Sequence, residues 1–280
     1  MKKLLITGCN GQLGRALNRE YRDARAELIN LDSQKLDISS LDSVMQAVRS
    51  CRPDVIINCG AMTAVDLCET ERDRAFRINA LGPRNLGIAA METGAKVFQI
   101  STDYIFSGES KRPYIETDTA HPQSVYGQTK LEGEQFIRDF AQRYFIIRTA
   151  WMYGDGKNFA ATMLRLSQAN DTVRVVGDQT GTPTSAAELA KMIHVLEPTE
   201  NYGVFHGTCE GACSWAEFAE EIFRQAGRKT AVEHITTEEF AAPAKRPAYS
   251  VLDNRMLRLT TDFRMMEWRD ALSIYMREIL

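Results

Sequence analysis

No apolar run in the 280-residue chain approaches the roughly 18 residues that a membrane-spanning helix needs. At the amino terminus, Lys2-Lys3 is followed only by Leu4-Leu5-Ile6 before Thr7, Gly8 and Asn10 break the stretch. That is far short of the roughly 7–15 apolar residues of a secretory signal core, so the expected location is cytoplasmic. An excess of positive charge is also missing: 34 Lys and Arg against 37 Asp and Glu leave −3. Nothing here would neutralise the phosphates of a nucleic acid. The six cysteines show no CxxC spacing and the four histidines no HxxxH pair. A Cys/His metal site is therefore not expected, and reduced, packed thiols are. No GxSxG elbow is present, which argues against a hydrolase of that kind. What remains is ordinary globular composition, 44% hydrophobic and 25% charged. The length is enough to bury a large core without covalent staples.

The first half alternates short apolar runs with helix-period segments. Lys3–Thr7, Glu27–Leu31, Asp54–Asn58, Lys96–Ser101 and Tyr144–Arg148 read as strands of a parallel sheet buried on both faces. Between them, Ser40 is placed to cap a helix whose Leu41, Val44, Met45 and Val48 form one apolar stripe. The expected fold is α/β: a Rossmann-type doubly wound parallel sheet over residues 1–150. A smaller, mixed α/β C-terminal substrate lobe is expected over 151–280. That boundary is approximate, since such chains often cross between lobes more than once. In the second region helices are expected near Asn158–Gln168, Ser185–Leu196, Ser214–Ala226 and Trp268–Ile279.

The first strand runs directly into Gly8-Cys9-Asn10-Gly11-Gln12-Leu13-Gly14. Gly8 permits a tight turn, Gly11 a close approach of backbone to a pyrophosphate, and Gly14 close helix–sheet packing. The helix that follows offers free N–H groups and a partial positive charge to an anion. The spacing is GxxGxxG and lacks the GK[ST] of a Walker loop. Its position between strand and helix, at the start of a βαβ pattern, points to a dinucleotide site. Asp32 ends the second strand, placed to accept from the adenosine ribose and to repel a 2′-phosphate, which favours NADH. Lys35 nearby leaves NADPH open.

Tyr126 and Lys130, four apart, share one helix face. A phenol is a poor acid at neutral pH, and a neighbouring ammonium is expected to lower its pKa. A tuned Tyr126 can then deliver a proton to an oxygen while hydride arrives at carbon. Thr102, just after the fourth strand, is placed to donate to the same oxygen. Trp151 offers a flat indole, either as a platform for a sugar ring or as core.

Together these features resemble the extended short-chain dehydrogenase/reductases that act on nucleotide sugars. Longer stretches narrow the resemblance: Ser101-Thr102-Asp103-Tyr104-Ile105-Phe106, Val125-Tyr126-Gly127-Gln128-Thr129-Lys130-Leu131-Glu132-Gly133-Glu134 and Arg148-Thr149-Ala150-Trp151-Met152-Tyr153-Gly154. So do Asp178-Gln179-Thr180-Gly181-Thr182-Pro183-Thr184, Ser214-Trp215-Ala216-Glu217-Phe218-Ala219 and Arg246-Pro247-Ala248-Tyr249-Ser250. They are similar to the dTDP-4-dehydrorhamnose reductase family over nearly the whole chain. The resemblance implies reduction by NADH or NADPH of the C4 keto group of a 4-keto-6-deoxy sugar on dTDP. It implies Thr102, Tyr126 and Lys130 as the catalytic set, with Lys130 also on the nicotinamide ribose. It implies cofactor contacts at Gly11, Gln12, Leu13, Asp32, Asp37, Ile38, Ala61, Met62 and Thr63; Gly8 and Gly14 of the loop, with Tyr126 and Lys130, complete the expected cofactor site. Sugar contacts are implied at Thr102, Asp103 and Trp151. Some family members are magnesium-linked dimers with a Glu just after the glycine loop. Arg15-Ala16 stands there in this chain, so Mg2+ is not implied, and monomer and homodimer both stay open. Arg246 is either a partner for the substrate diphosphate or a surface charge. Two other functions remain: a reductase or epimerase of a different nucleotide sugar, and a non-catalytic dinucleotide-binding subunit like the regulatory subunit of methionine adenosyltransferase. The complete Thr102, Tyr126 and Lys130 set disfavours the latter.

Overall fold

Successive side chains of a strand point to opposite faces, and the first strand uses this directly. In the computed structural model, which describes residues 1–280, Leu4 and Ile6 enter one core and Leu5 the other. The six central strands are β1 (Lys2–Thr7), β2 (Ala26–Leu31), β3 (Val55–Asn58), β4 (Lys96–Thr102), β5 (Tyr144–Thr149) and β6 (Gly203–His206). They form one sheet in the order β6-β5-β4-β3-β1-β2. Every neighbouring pair is parallel. One face packs against α1 (Gln12–Glu20), the other against α2 (Leu41–Cys51), α3 (Gly82–Thr93) and α4 (Val125–Phe140). The chain order reverses between β1 and β3. The crevice beyond their carboxyl ends is where doubly wound sheets bind ligands.

The five expected strands form within a residue or so of their expected ends. Ser40 caps α2, its hydroxyl accepting from the Ser43 N–H at 3.3 Å. The sheet does not stop at residue 150, however. β6 pairs with β5, and α5 (Ala186–Leu196) lies on the same sheet face as α1, burying Leu189, Met192, Ile193 and Leu196 in the core of Leu4 and Ile6. The chain thus crosses back from its second half to complete the first layer. Gly203-Val204-Phe205-His206 is too short and too weakly apolar to stand out in sequence.

The remaining second half has its own core. Tyr153, Ala160, Val173, Val175, Phe218, Ile222, Trp268 and Leu272 belong to it. It is built from α6 (Trp215–Gln225), α7 (Trp268–Ile279), the helix Phe159–Leu166 and small two-stranded ladders. No helix is long and apolar enough to cross a membrane.

Candidate active site

The glycine loop leaves the carboxyl end of β1 at the reversal point. Gly8 has φ +60°, and a Cβ there would lie 2.9 Å from the Cys59 carbonyl carbon. At Gly14 a Cβ would fall 2.5 Å from the Cys9 Cα. Both positions admit only glycine without a shift of backbone. Gly11 opens α1; no side chain caps it, and its first turn carries no acid. The first N–H groups of α1 therefore face the crevice unshielded, the arrangement that receives a diphosphate.

Asp32 follows β2 directly. Its Oδ2 accepts from Asn10 Nδ2 at 2.9 Å, and its Oδ1 from the Gln34 and Lys35 N–H groups at 3.1 and 3.2 Å. The carboxylate is thereby fixed beside the glycine loop. Asp37 is exposed and bonds Ser39, while Ile38 is buried, its carbonyl accepting from Asn85. Ala61, Met62 and Thr63 lie in the turn after β3. This turn is held from a single π-helical turn, Arg77–Leu81, a local irregularity that often marks a functional region. Asn79 on that turn accepts the Met62 N–H at 2.9 Å and donates to the Met62 carbonyl at 3.1 Å. A second buried series crosses the strand ends: Thr7 Oγ1 donates to Asn58 Oδ1 at 2.6 Å, and Asn58 Nδ2 to Gln99 Oε1 at 2.7 Å. Asn79, Asn58 and Gln99 were not singled out from sequence. The available signal was a polar residue in an otherwise apolar strand run at Asn58 and Gln99; Asn79, on a helical segment, offered none.

Thr102 ends β4, and α4 brings Tyr126 and Lys130 alongside. The approach is close because two glycines allow it: a Cβ on Gly127 would lie 2.1 Å from the Tyr104 carbonyl oxygen, and one on Gly133 2.3 Å from that of Asn79. The Tyr126 phenol lies beside the Thr102 hydroxyl. Lys130 is buried, and its Nζ donates to the Ile100 carbonyl at 2.6 Å. Burial lowers its pKa to about 8, partly offset by Glu134 and Cys59. Burial raises the Tyr126 phenol well above its ordinary value; the Thr102 hydroxyl pulls it down and Asp103 pushes it up. The expected lowering by Lys130 is absent, and the ammonium is instead engaged at Ile100. The phenol is accordingly fully protonated at neutral pH.

Asp103 is buried, with Oδ1 accepting from the Thr102 hydroxyl at 3.0 Å. Burial raises its pKa to about 6, against the lowering effects of Ser250 and Thr102. Its Oδ2 lacks a hydrogen-bond partner, as does Thr149 Oγ1 on β5, opposite Thr102 in register. Two orphaned polar atoms at one sheet edge are what a polar ligand would satisfy.

Behind this edge α4 is anchored by a buried ion pair. Glu134 accepts from Arg148 Nη2 at 2.8 Å and from Arg148 Nε at 3.0 Å, and takes the Ser101 hydroxyl at 2.5 Å. Trp151 follows β5 with φ +44°, and its indole stacks on Trp215 with centroids 3.6 Å apart. One face of the proposed sugar platform is thus already covered. Arg246 does not stand free: its guanidinium grips both oxygens of Asp66, at 3.1 and 3.0 Å. Arg15 is exposed and Ala16 packs into the core, so no carboxylate stands after the glycine loop.

Comparison with known proteins shows the family. A dTDP-4-dehydrorhamnose reductase from Clostridium acetobutylicum superposes with a TM-score of 0.98 at 50% identity, covering 99% of both chains. A dTDP-4-dehydrorhamnose reductase from Bacillus anthracis, solved in complex with NADP, gives 0.97 at 43% identity, covering 99% of this chain and 100% of that one. Among curated sequences, the dTDP-4-dehydrorhamnose reductase of Aggregatibacter actinomycetemcomitans is 39% identical over 97% of each chain. The family described as RmlD substrate binding domain matches residues 1–280. By fold, site geometry and full-length similarity, this chain belongs to the dTDP-4-dehydrorhamnose reductase family of oxidoreductases.

Proposed function

We propose that this chain reduces the C4 keto group of dTDP-4-dehydro-L-rhamnose to give dTDP-L-rhamnose, using NADH or NADPH. The observation that carries this reading is the meeting of Thr102, Tyr126 and Lys130 at the carboxyl edge of the sheet, next to the glycine loop. The residues present fit a dinucleotide: the Gly8 and Gly14 cradle excludes any side chain, and the open end of α1 suits a diphosphate. Gly11, Gln12, Leu13 and Gly14 would hold that diphosphate and Asp32 the adenosine ribose. Asp37, Ile38, Ala61, Met62 and Thr63 would line the adenine and nicotinamide sides. When bound, the reduced nicotinamide supplies the hydride that reaches C4.

The chain's own residues then handle the oxygen. The Thr102 hydroxyl donates to the keto oxygen, polarising the carbonyl and stabilising charge as it develops. Tyr126 gives its proton to the same oxygen. Its raised pKa keeps that proton in place at neutral pH, and an alkoxide is a far stronger base than a phenolate. Lys130 binds the nicotinamide ribose and stabilises the phenolate left behind, which requires Nζ to turn from Ile100 toward the site. Asp103 and Trp151 meet the sugar hydroxyls and ring. No residue of this scheme requires a metal.

The test is to generate the 4-keto sugar nucleotide in situ, add NADH or NADPH, and follow loss of nicotinamide absorbance with identification of the product. Stoichiometric formation of the 4-hydroxy sugar is expected. Absence of turnover with either cofactor would favour the non-catalytic binding reading.

A further inference from the structure

Trp151 is held in an unusual way. Its φ of +44° is a left-handed conformation that costs a bulky residue energy and persists only where the surroundings enforce it. Two neighbours do so. Trp215 lies flat on the indole, centroids 3.6 Å apart and planes within 10°. Gly181 comes so close that a Cβ there would fall 2.5–2.7 Å from Cε2, Cζ2 and Nε1 of the ring. These two neighbours are themselves coupled. Residues 213–214 pair antiparallel with 180–181, Cys213 opposite Gly181 and Ser214 opposite Thr180. Trp215 is the next residue and opens α6. That turn is fixed by a capping box: the Ser214 hydroxyl accepts the Glu217 N–H at 3.1 Å, and Glu217 Oε2 accepts the Ser214 N–H at 2.6 Å. Phe159 packs against Trp215, centroids 4.6 Å apart.

The same ladder reaches the catalytic edge. Thr180 donates its N–H to the Ala248 carbonyl and accepts the Ser250 N–H, both at 2.8 Å, and Ser250 adjoins the Asp103 carboxyl. Trp215, Gly181, Ser250 and Asp103 therefore form one continuous framework around the sugar end of the crevice.

From this geometry we infer that Trp215 is a positioning residue for the nucleotide sugar, fixing the strained Trp151 indole in the orientation that meets the pyranose. The inference rests on the reading of Trp151 as a sugar contact. It adds that the contact surface is prepared by a second tryptophan, on another element, that acts through the first. Aromatic stacking of this kind has a worth that corresponds to a several-fold to tenfold effect. Because Trp215 acts through Trp151, its effect disappears once Trp151 is gone.

The experiment is steady-state kinetics on Trp215→Ala, Trp215→Phe, Trp151→Ala and the double alanine variant, with the KM for the 4-keto sugar nucleotide and the KM for NADPH measured separately. Trp215→Ala is expected to raise the sugar KM about five- to tenfold, with the cofactor KM within about twofold of wild type. Trp215→Phe retains a stacking face and is expected to recover most of the loss. The double variant is expected to match Trp151→Ala. If Trp215→Ala does not fold, Trp215→Phe and Trp215→Leu carry the comparison, with Leu behaving as Ala should. An unchanged sugar KM in folded Trp215→Ala, beside a raised one in Trp151→Ala, overturns this inference and leaves the sugar contact standing. An unchanged sugar KM in Trp151→Ala overturns both. Parallel rises in sugar and cofactor KM would reduce Trp215 to a residue of the lobe's core.

Discussion

Tyr126, Lys130 and Asp103 each sit where burial opposes their charged form, and the three consequences differ. For Tyr126 the raised pKa preserves the proton that reduction consumes. Tyr126→Phe is expected to lower kcat by on the order of 10²-fold or more while leaving the dissociation constant of the nicotinamide cofactor within a few-fold; cofactor fluorescence titration beside turnover checks both. For Lys130, pushed to about 8 by burial, the charged form is lost as pH rises through that value in the cofactor-free enzyme. If the ammonium holds the ribose, kcat/KM for the cofactor falls above about pH 8. In Lys130→Met both rate and cofactor binding drop and that alkaline limb disappears.

Asp103 makes a prediction about stability. Its folded pKa of about 6 lies above that of an exposed aspartate. The folded state therefore binds more protons than the unfolded one between about pH 4 and 6, so stability falls as pH rises across that window and levels off above it. The full effect is about 3 kcal/mol. Asp103→Asn should flatten that portion of the profile in urea titrations at several pH values, and should weaken sugar binding. A profile unchanged by the substitution would mean that another group carries the dependence. The placement of Thr102 at the end of β4 and of Tyr126 and Lys130 on α4 was legible in sequence, from their strand and helix spacings. The direction of the Tyr126 shift was not, because it depends on burial and on where the Lys130 Nζ points, and neither follows from spacing.

At the scale of elements, two close approaches set the site. α1 meets the Cys9 backbone of the loop after β1 through Gly14, and α4 meets Tyr104 and the Asn79 turn through Gly127 and Gly133. The first was readable from the glycine triplet, and the capped start of α2 from Ser40 and its apolar stripe. The second was not read, because glycines inside a helix ordinarily register as weak points rather than contacts. Gly14→Ala is expected to displace the Cys9 backbone and raise the cofactor KM by more than tenfold. The anchoring of α4 is equally specific. Removing the Glu134 charge would leave Arg148 buried without its carboxylate, and unpairing a buried ion of this kind costs about 3–5 kcal/mol. Glu134→Gln is therefore expected to lower the urea midpoint strongly. A loss below about 1 kcal/mol would show that Ser101 and the amide suffice to hold the pair. Glu134 and Arg148 stand 14 residues apart, on α4 and on the strand β5 that follows it; their spacing alone does not reveal the pair, which forms where α4 packs back over the sheet behind the catalytic edge.

For the whole molecule, the sheet closes only when β6 returns from the second half of the chain. The five preceding strands were legible as buried apolar runs, whereas this one is four residues long and depends on pairing with β5 for its identity. The second half supplies both the last sheet strand and the separate core beneath Trp151 and Trp215, so the crevice is walled by both parts of the chain. Arg246, left open between two roles by sequence, ties the late segment to Asp66 on the short helix Val65–Thr70, beyond the turn after β3. With Ala16 buried where a metal-linked relative would carry a carboxylate, turnover at saturating substrate is expected to survive exhaustive chelation; loss restored by magnesium alone would contradict this. The central claim concerns the fate of one hydrogen. NADPH carrying deuterium at the transferred position of the nicotinamide should deliver it to C4 of the sugar, where NMR of the purified product would find it on the carbon bearing the new hydroxyl. Label retained by the nicotinamide, or C4 of the product carrying only protium while the sugar is epimerised elsewhere, would contradict the reduction proposed for this chain.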